Sequence, residues 1–137
     1  MGTGTGTGGG RSPAPEVERR SAALVLRLAE IRGWMQDVLR LELPPGDLPA
    51  LLADGELLMS LADTAMPGVG APYAGSLPSR KFEAFATACR QLGVPESEIL
   101  QESWLVGPQR SAELVVRGVE ALAREASARR LLPPLSS

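Results

Sequence analysis

Four side chains in this sequence carry groups that catalysis could use. Cys89 holds the single thiol, and Glu96, Glu98 and Glu102 hold closely spaced carboxylates. A thiol attacks only as its thiolate. A pair of carboxylates catalyses proton transfer only when one acts as the acid and the other as the base. The sequence contains no His, so the commonest partner for either chemistry is missing. We therefore expect Cys89 to be a buried apolar residue, the carboxylates to be a solvated helix start, and the protein not to be an enzyme.

Composition narrows the remaining classes of function. One Cys and no His cannot form an ordinary structural zinc site, and we expect no metal and no cofactor. The formal net charge of −2 argues against a nucleic-acid partner. No stretch approaches the roughly 18 apolar residues of a membrane span, so no membrane partner is expected. A single Cys excludes an internal disulfide, which is typical of the cytoplasm. Function is therefore expected to be binding.

The elements that position these residues are predicted to be helices. Hydrophobic residues make up 44% of the chain and aromatic residues only 4%, so Leu, Ala and Val must form the core. Leu and Ala are strong helix formers, which favours an all-α fold. We predict a disordered Gly/Thr/Pro-rich tail over 1–15, one helical domain over 16–130, and a C-terminal tail over 131–137.

Apolar residues recur at helical spacing in the first half of the domain. Leu24, Leu28, Ile31 and Met35 share one side of a helix predicted between residues 16 and 41. Asp47 is predicted to cap a short helical turn that reaches Leu52. Asp54 is predicted to cap the next helix, which Pro67 and Gly68 end.

The second half repeats this pattern. Ser79 is predicted to cap a buried helix that ends at Gly93, and Pro95 suits the first turn of a short helix. A last helix is predicted from about Gln109 to Arg129. The inward face of the buried helix follows helical spacing and consists of Phe82, Phe85, Ala86, Cys89 and Leu92.

Over about residues 30 to 127 a set of core and turn residues stands in a characteristic order: Trp34, Asp54-Gly55-Glu56-Leu57-Leu58, Pro67-Gly68, Phe85, Ala88-Cys89, Leu92-Gly93-Val94, Val115, Val116 and Val119. This order resembles the calponin homology (CH) domain. Within that family, the stretches 89–96, 102–106 and 131–135 look most like the growth-arrest-specific cytoskeletal linker subgroup. The resemblance implies a single helical scaffold that contacts actin filaments or microtubules in the cytoplasm, with the ciliary axoneme as one location.

Two positions depart from the family pattern and bear on partner binding. Lys81 stands where the family often has Asn, and Trp104 stands where an acidic residue is common. Arg80, Lys81 and Arg90 are candidates for a basic face that attracts acidic filaments, with a solvated helix face as the alternative. Trp104 is a candidate partner anchor, with a core position as the alternative. A contiguous Arg face would favour filament binding. An exposed apolar patch at Trp104 would favour an adaptor that docks another cytoskeletal protein.

Overall fold

Five α-helices and three 3₁₀ turns make up the part of the chain that the structure, a computed structural model, describes: residues 13–73 and 77–135. The helices are α1 (Pro13–Leu39), α2 (Leu48–Leu52), α3 (Glu56–Ala65), α4 (Pro78–Leu92) and α5 (Ala112–Ala128). The turns cover Ala71–Tyr73, Glu96–Glu98 and Glu102–Trp104. These ranges contain no strand, and they form one small domain, so the all-α prediction is confirmed.

Helix α1 begins at Pro13, three residues before the predicted domain boundary at Glu16. Proline is well suited to a first helical turn, because its fixed φ matches the helix and its missing N–H would have no partner there. The rest of the predicted tail, residues 1–12, lies outside the described residues. Gly33 does not interrupt the helix.

The start of α3 differs from the prediction in one residue. Gly55 is the N-cap residue, with φ 77°, and Asp54 lies before it. The Asp54 carboxylate still accepts a hydrogen bond from the Glu56 N–H at 2.9 Å. A Cβ on Gly55 would lie 2.9 Å from the Cβ of Lys81 on α4. Glycine is therefore required here both for the left-handed backbone and for the close approach of α4.

Helix α4 begins at Pro78 and not after Ser79, so the predicted Ser79 cap is wrong. Leu77 takes the N-cap position without a side-chain hydrogen bond, because Pro78 occupies the first turn and fixes where the helix starts. The other end is as predicted: Gly93 adopts φ 92°. Its N–H donates to the Arg90 carbonyl at 3.1 Å, and the Val94 N–H donates to the Cys89 carbonyl at 2.9 Å.

The core lies where α4 packs against α3, with α1 across α3 and α5. Phe85 and Cys89 are fully buried on α4, as the helical spacing predicts. Trp34 is buried on α1, and its indole N–H donates to the Pro133 carbonyl at 2.9 Å. Leu132 is also buried. The described part of the C-terminal tail is thus held against the first helix.

Candidate interaction site

Lys81 is tied into the contact between α3 and α4. Its ammonium group lies 2.6 Å from the Glu56 carboxylate, and its side chain is only 14% exposed. The side chain lies beside Gly55, whose missing Cβ makes room for it. Lys81 therefore joins two helices and contributes little to the surface.

Arg80 and Arg90 lie on the surface of α4, with side chains 63% and 55% exposed. The Arg80 guanidinium lies 3.4 Å from the Glu83 carboxylate. The Arg90 guanidinium lies 2.7 Å from the Glu96 carboxylate. That hydrogen bond, together with the charge of Glu96, raises the pKa of Arg90. Both arginines are thus accompanied by a carboxylate.

The three predicted cations do not come together as one basic face. Nine residues separate Lys81 from Arg90, which is about two and a half helical turns and places them on opposite sides of α4. Each is paired with an acidic residue instead. The charge of each of the three cations is consequently close to balanced by its own acidic partner.

Trp104 lies at the end of the third 3₁₀ turn, at the start of the connection to α5. Its indole is half-buried and packs partly on the core. Its carbonyl accepts a hydrogen bond from the Ser111 N–H at 2.8 Å. The Ser111 hydroxyl in turn accepts from the Leu114 N–H at 3.3 Å and caps α5. The helix start therefore fixes the backbone that carries Trp104.

Two clefts meet at Trp104. One has a volume of about 360 Å³ and runs along α5; it is lined by Ser97, Glu98, Trp104, Leu114, Arg117, Glu120 and Arg124. The other has a volume of about 510 Å³ and is lined by Asp47, Pro49, Ala50, Trp104, Leu105, Arg110, Ser111 and Ala112. The indole is shared by both, so a bound chain could cross it from one cleft to the other. We call this pair of clefts with Trp104 between them the Trp104 site.

Each cleft contains an arginine that forms no ion pair within the described residues, although the second cleft is also lined by Asp47. Arg117 lies in the first cleft and Arg110 in the second, and both are exposed. The other charges of the first cleft are already engaged: Arg124 lies 2.9 Å from the Glu98 carboxylate, and Arg27 bonds to Glu120. The Trp104 site therefore combines an aromatic surface with two available cations.

The sequence prediction found Trp104 but missed both of these arginines. Helical spacing in the sequence does indicate Arg117. It stands seven residues before Arg124, so both lie on the polar side of α5. Arg110 lies in the loop before α5, where periodicity gives no information. Its position beside Trp104 depends on how that loop folds.

Three of the four groups that catalysis could use are buried or paired with an arginine. Cys89 is buried, and that burial raises the pKa of its thiol from 9.0 to about 12. Glu96 and Glu98 pair with Arg90 and Arg124. Among the side chains of residues 19, 21–72 and 77–135, no three Cys, Asp or Glu are grouped so that they could hold a metal ion. Within the same ranges, none of the helices has the length and apolar character that crossing a bilayer requires.

No protein-family model matches the sequence.

Proposed function

We propose that this chain is a non-catalytic interaction domain of the calponin homology type, acting as an adaptor within a cytoskeletal assembly. The support for the family is the placing of its motif residues. Trp34 and Phe85 lie in the core, and Gly93 ends a helix with a left-handed backbone. These residues account for the fold and not for binding, so the binding function has to come from a surface of the domain.

The observation that carries the adaptor function is the Trp104 site. A half-exposed Trp is a frequent anchor at protein interfaces, and Arg is the cation most enriched there. Arg110 and Arg117 flank the indole without a carboxylate of their own. The partner that fits is a protein segment with an apolar residue for the indole and acidic residues on either side for the two arginines.

Filament binding through α4 is the second candidate. Arg80 and Arg90 remain more than half exposed. Exposed ion pairs contribute only about 0–1 kcal/mol, so an acidic actin or microtubule surface could compete for these side chains. The acidic residues beside them weaken that attraction, which is why the adaptor function ranks first.

A peptide selection would test the adaptor function. Random peptides displayed on phage are selected on the wild-type domain and then measured against Trp104→Ala, Arg110→Glu/Arg117→Glu and Arg130→Glu. Arg130 is the matched control, because it is an exposed arginine outside both clefts and has no carboxylate partner among the described residues. We expect selected peptides to carry an apolar residue between acidic ones. Their affinity should fall at least about tenfold with the first two variants and stay unchanged with the control. An equal affinity for Trp104→Ala would refute the assignment of this site.

Co-sedimentation with actin filaments and with microtubules tests the second candidate. The double variant Arg80→Glu/Arg90→Glu leaves Lys81 and its contact with Glu56 intact, so the fold should be retained. Filament binding by the wild type that weakens at higher salt and is lost in this variant would replace the adaptor function. Wild-type protein that remains in the supernatant with both filaments would exclude this candidate.

A further inference from the structure

The outer face in the middle of α1 is apolar and uncovered. Val25 and Leu26 are 64% and 66% exposed, although both are large aliphatic residues. Ala22 and Ala29 on the same face are also exposed. Leu24 and Leu28, on the other side of the helix, pack against the core. We call Ala22, Val25, Leu26 and Ala29 the outer stripe.

The spacing of the outer stripe is that of a helix–helix contact. Its members stand at i, i+3, i+4 and i+7, so they form one continuous face of the helix. A solvent-facing helix surface normally carries charged or polar residues at such positions. Each long side chain here has a short Ala on either side along the stripe, which leaves room for the backbone of a second helix to approach.

The outer stripe is complementary to itself when two copies run antiparallel. A twofold axis between Val25 and Leu26 places Ala22 level with the second copy's Ala29. The same axis places Val25 level with the second copy's Leu26. Every large residue then meets a large residue and every alanine meets an alanine, as an isologous contact requires.

The charges beside the outer stripe support the same arrangement. Arg19 and Glu30 are eleven residues apart, about three helical turns, and so lie on the same flank of the stripe. In the antiparallel pair, Arg19 and the second copy's Glu30 lie about 3 Å apart along the helix axis, an offset that their long side chains can span. Symmetry makes the contact twice. A parallel pair would instead leave Arg19 and the second copy's Glu30 about 16 Å apart along the helix axis, so it would form no such contact.

Glu30 can make this contact without losing its own. One of its carboxylate oxygens accepts from the Arg27 guanidinium at 3.0 Å. A carboxylate has two oxygens with about four acceptor sites, so a second arginine can be bound at the same time. The intermolecular pair is therefore compatible with the ion pair present in the single chain.

We propose that the outer stripe binds a second copy of this chain, forming an antiparallel α1–α1 homodimer. The contact is independent of the Trp104 site. One helix pair buries less surface than the roughly 1,200–2,000 Å² of a standard stable interface, so the dimer should form reversibly with concentration.

Sedimentation equilibrium over a series of protein concentrations tests the proposal on the full chain. We expect a monomer–dimer equilibrium for the wild type. Val25→Glu/Leu26→Glu should raise the dimer Kd at least about tenfold, because both side chains are exposed in the single domain and the charges would be buried in the dimer. Circular dichroism and melting temperature confirm that each variant folds. Arg130→Glu is the control and should dimerise like the wild type.

A charge exchange then tests the orientation. Arg19→Glu alone should weaken the dimer, and Arg19→Glu/Glu30→Arg should restore it, because the exchange re-forms both intermolecular pairs. A wild type that is monomeric throughout would overturn the proposal, as would a dimer unaffected by the stripe variant. Failure of the exchanged variant to recover would refute the antiparallel arrangement.

Discussion

Gly118 lies in the middle of α5, where the segment around Leu100 crosses the helix at very short range. A Cβ added at Gly118 would lie 2.7 Å from the Leu100 Cβ and 3.2 Å from its Cα. The second of these is a backbone atom, so a rotation of the Leu100 side chain cannot relieve the contact. We therefore expect Gly118→Ala to destabilise the domain, although alanine is the better helix former.

The size of the effect follows from two opposing contributions. Alanine in a helix interior is favoured over glycine by about 1 kcal/mol. Inserting a methyl group into a closed contact costs about 1–3 kcal/mol. A Cβ 2.7 Å from its neighbour corresponds to the upper part of that range, about 2–3 kcal/mol, so the net loss should be about 1–2 kcal/mol in the free energy of unfolding. With a urea dependence of about 1–3 kcal/mol per molar, the midpoint should fall by roughly 0.3–2 M.

Gly33→Ala is the matched control for this measurement. Gly33 is also a helix-interior glycine, yet a Cβ there would meet nothing within 4 Å. Only the propensity difference remains, so this variant should gain about 0.5–1 kcal/mol. Urea unfolding of both variants under the same conditions separates packing from propensity. A Gly118→Ala variant as stable as Gly33→Ala would refute the close packing of α5 against Leu100.

Three further effects are expected. Phe85→Ala should lower the free energy of unfolding by about 3–5 kcal/mol, since the ring is fully buried; a loss below about 1 kcal/mol would contradict the helix register. Burial raises the pKa of the Cys89 thiol from 9.0 to about 12. The protonated thiol therefore makes its full contribution to the free energy of unfolding below pH 9, and this contribution is lost as pH rises towards 12. The stability advantage of wild type over Cys89→Ala should therefore shrink by about 1.4 kcal/mol per pH unit in that window, and a constant difference in thermal melts would argue against burial. Trp34→Phe should lose about 0.5–1.5 kcal/mol in urea unfolding, because the Pro133 carbonyl loses its indole donor, and an unchanged midpoint would mean that this bond contributes nothing.

The buried face of α4 could be predicted because local spacing determines it. Phe85 and Cys89 share one side of a 3.6-residue period, and Gly93 is a residue that ends helices. The exact helix starts were harder to predict. Ser79 has the side chain of a cap, but Pro78 sets the first turn one residue earlier. The Ser79 hydroxyl and the fixed φ of Pro78 favour different helix starts, and Pro78 determines the one observed.

The candidate site could be predicted only in part, because charge partners come from distant segments. Lys81 and Glu56 are 25 residues apart, and nothing in the sequence relates them. The prediction of a basic face considered only the cations and not the acidic residues that pair with them. Trp104 could be singled out because Trp is rare in this chain and enriched at interfaces. Arg110 could not, since a loop residue carries no periodic signal.

The two tryptophans give the domain two fluorescent reporters with different surroundings. Trp34 is enclosed and hydrogen-bonded to Pro133, whereas Trp104 lies at the rim of two clefts. A water-soluble quencher such as acrylamide should therefore reach Trp104 and leave Trp34 shielded. A ligand in the clefts would change the emission of Trp104 alone, while dimerisation through the outer stripe touches neither indole. Emission spectra recorded during a titration can thus distinguish the two association events in a single sample without any added label.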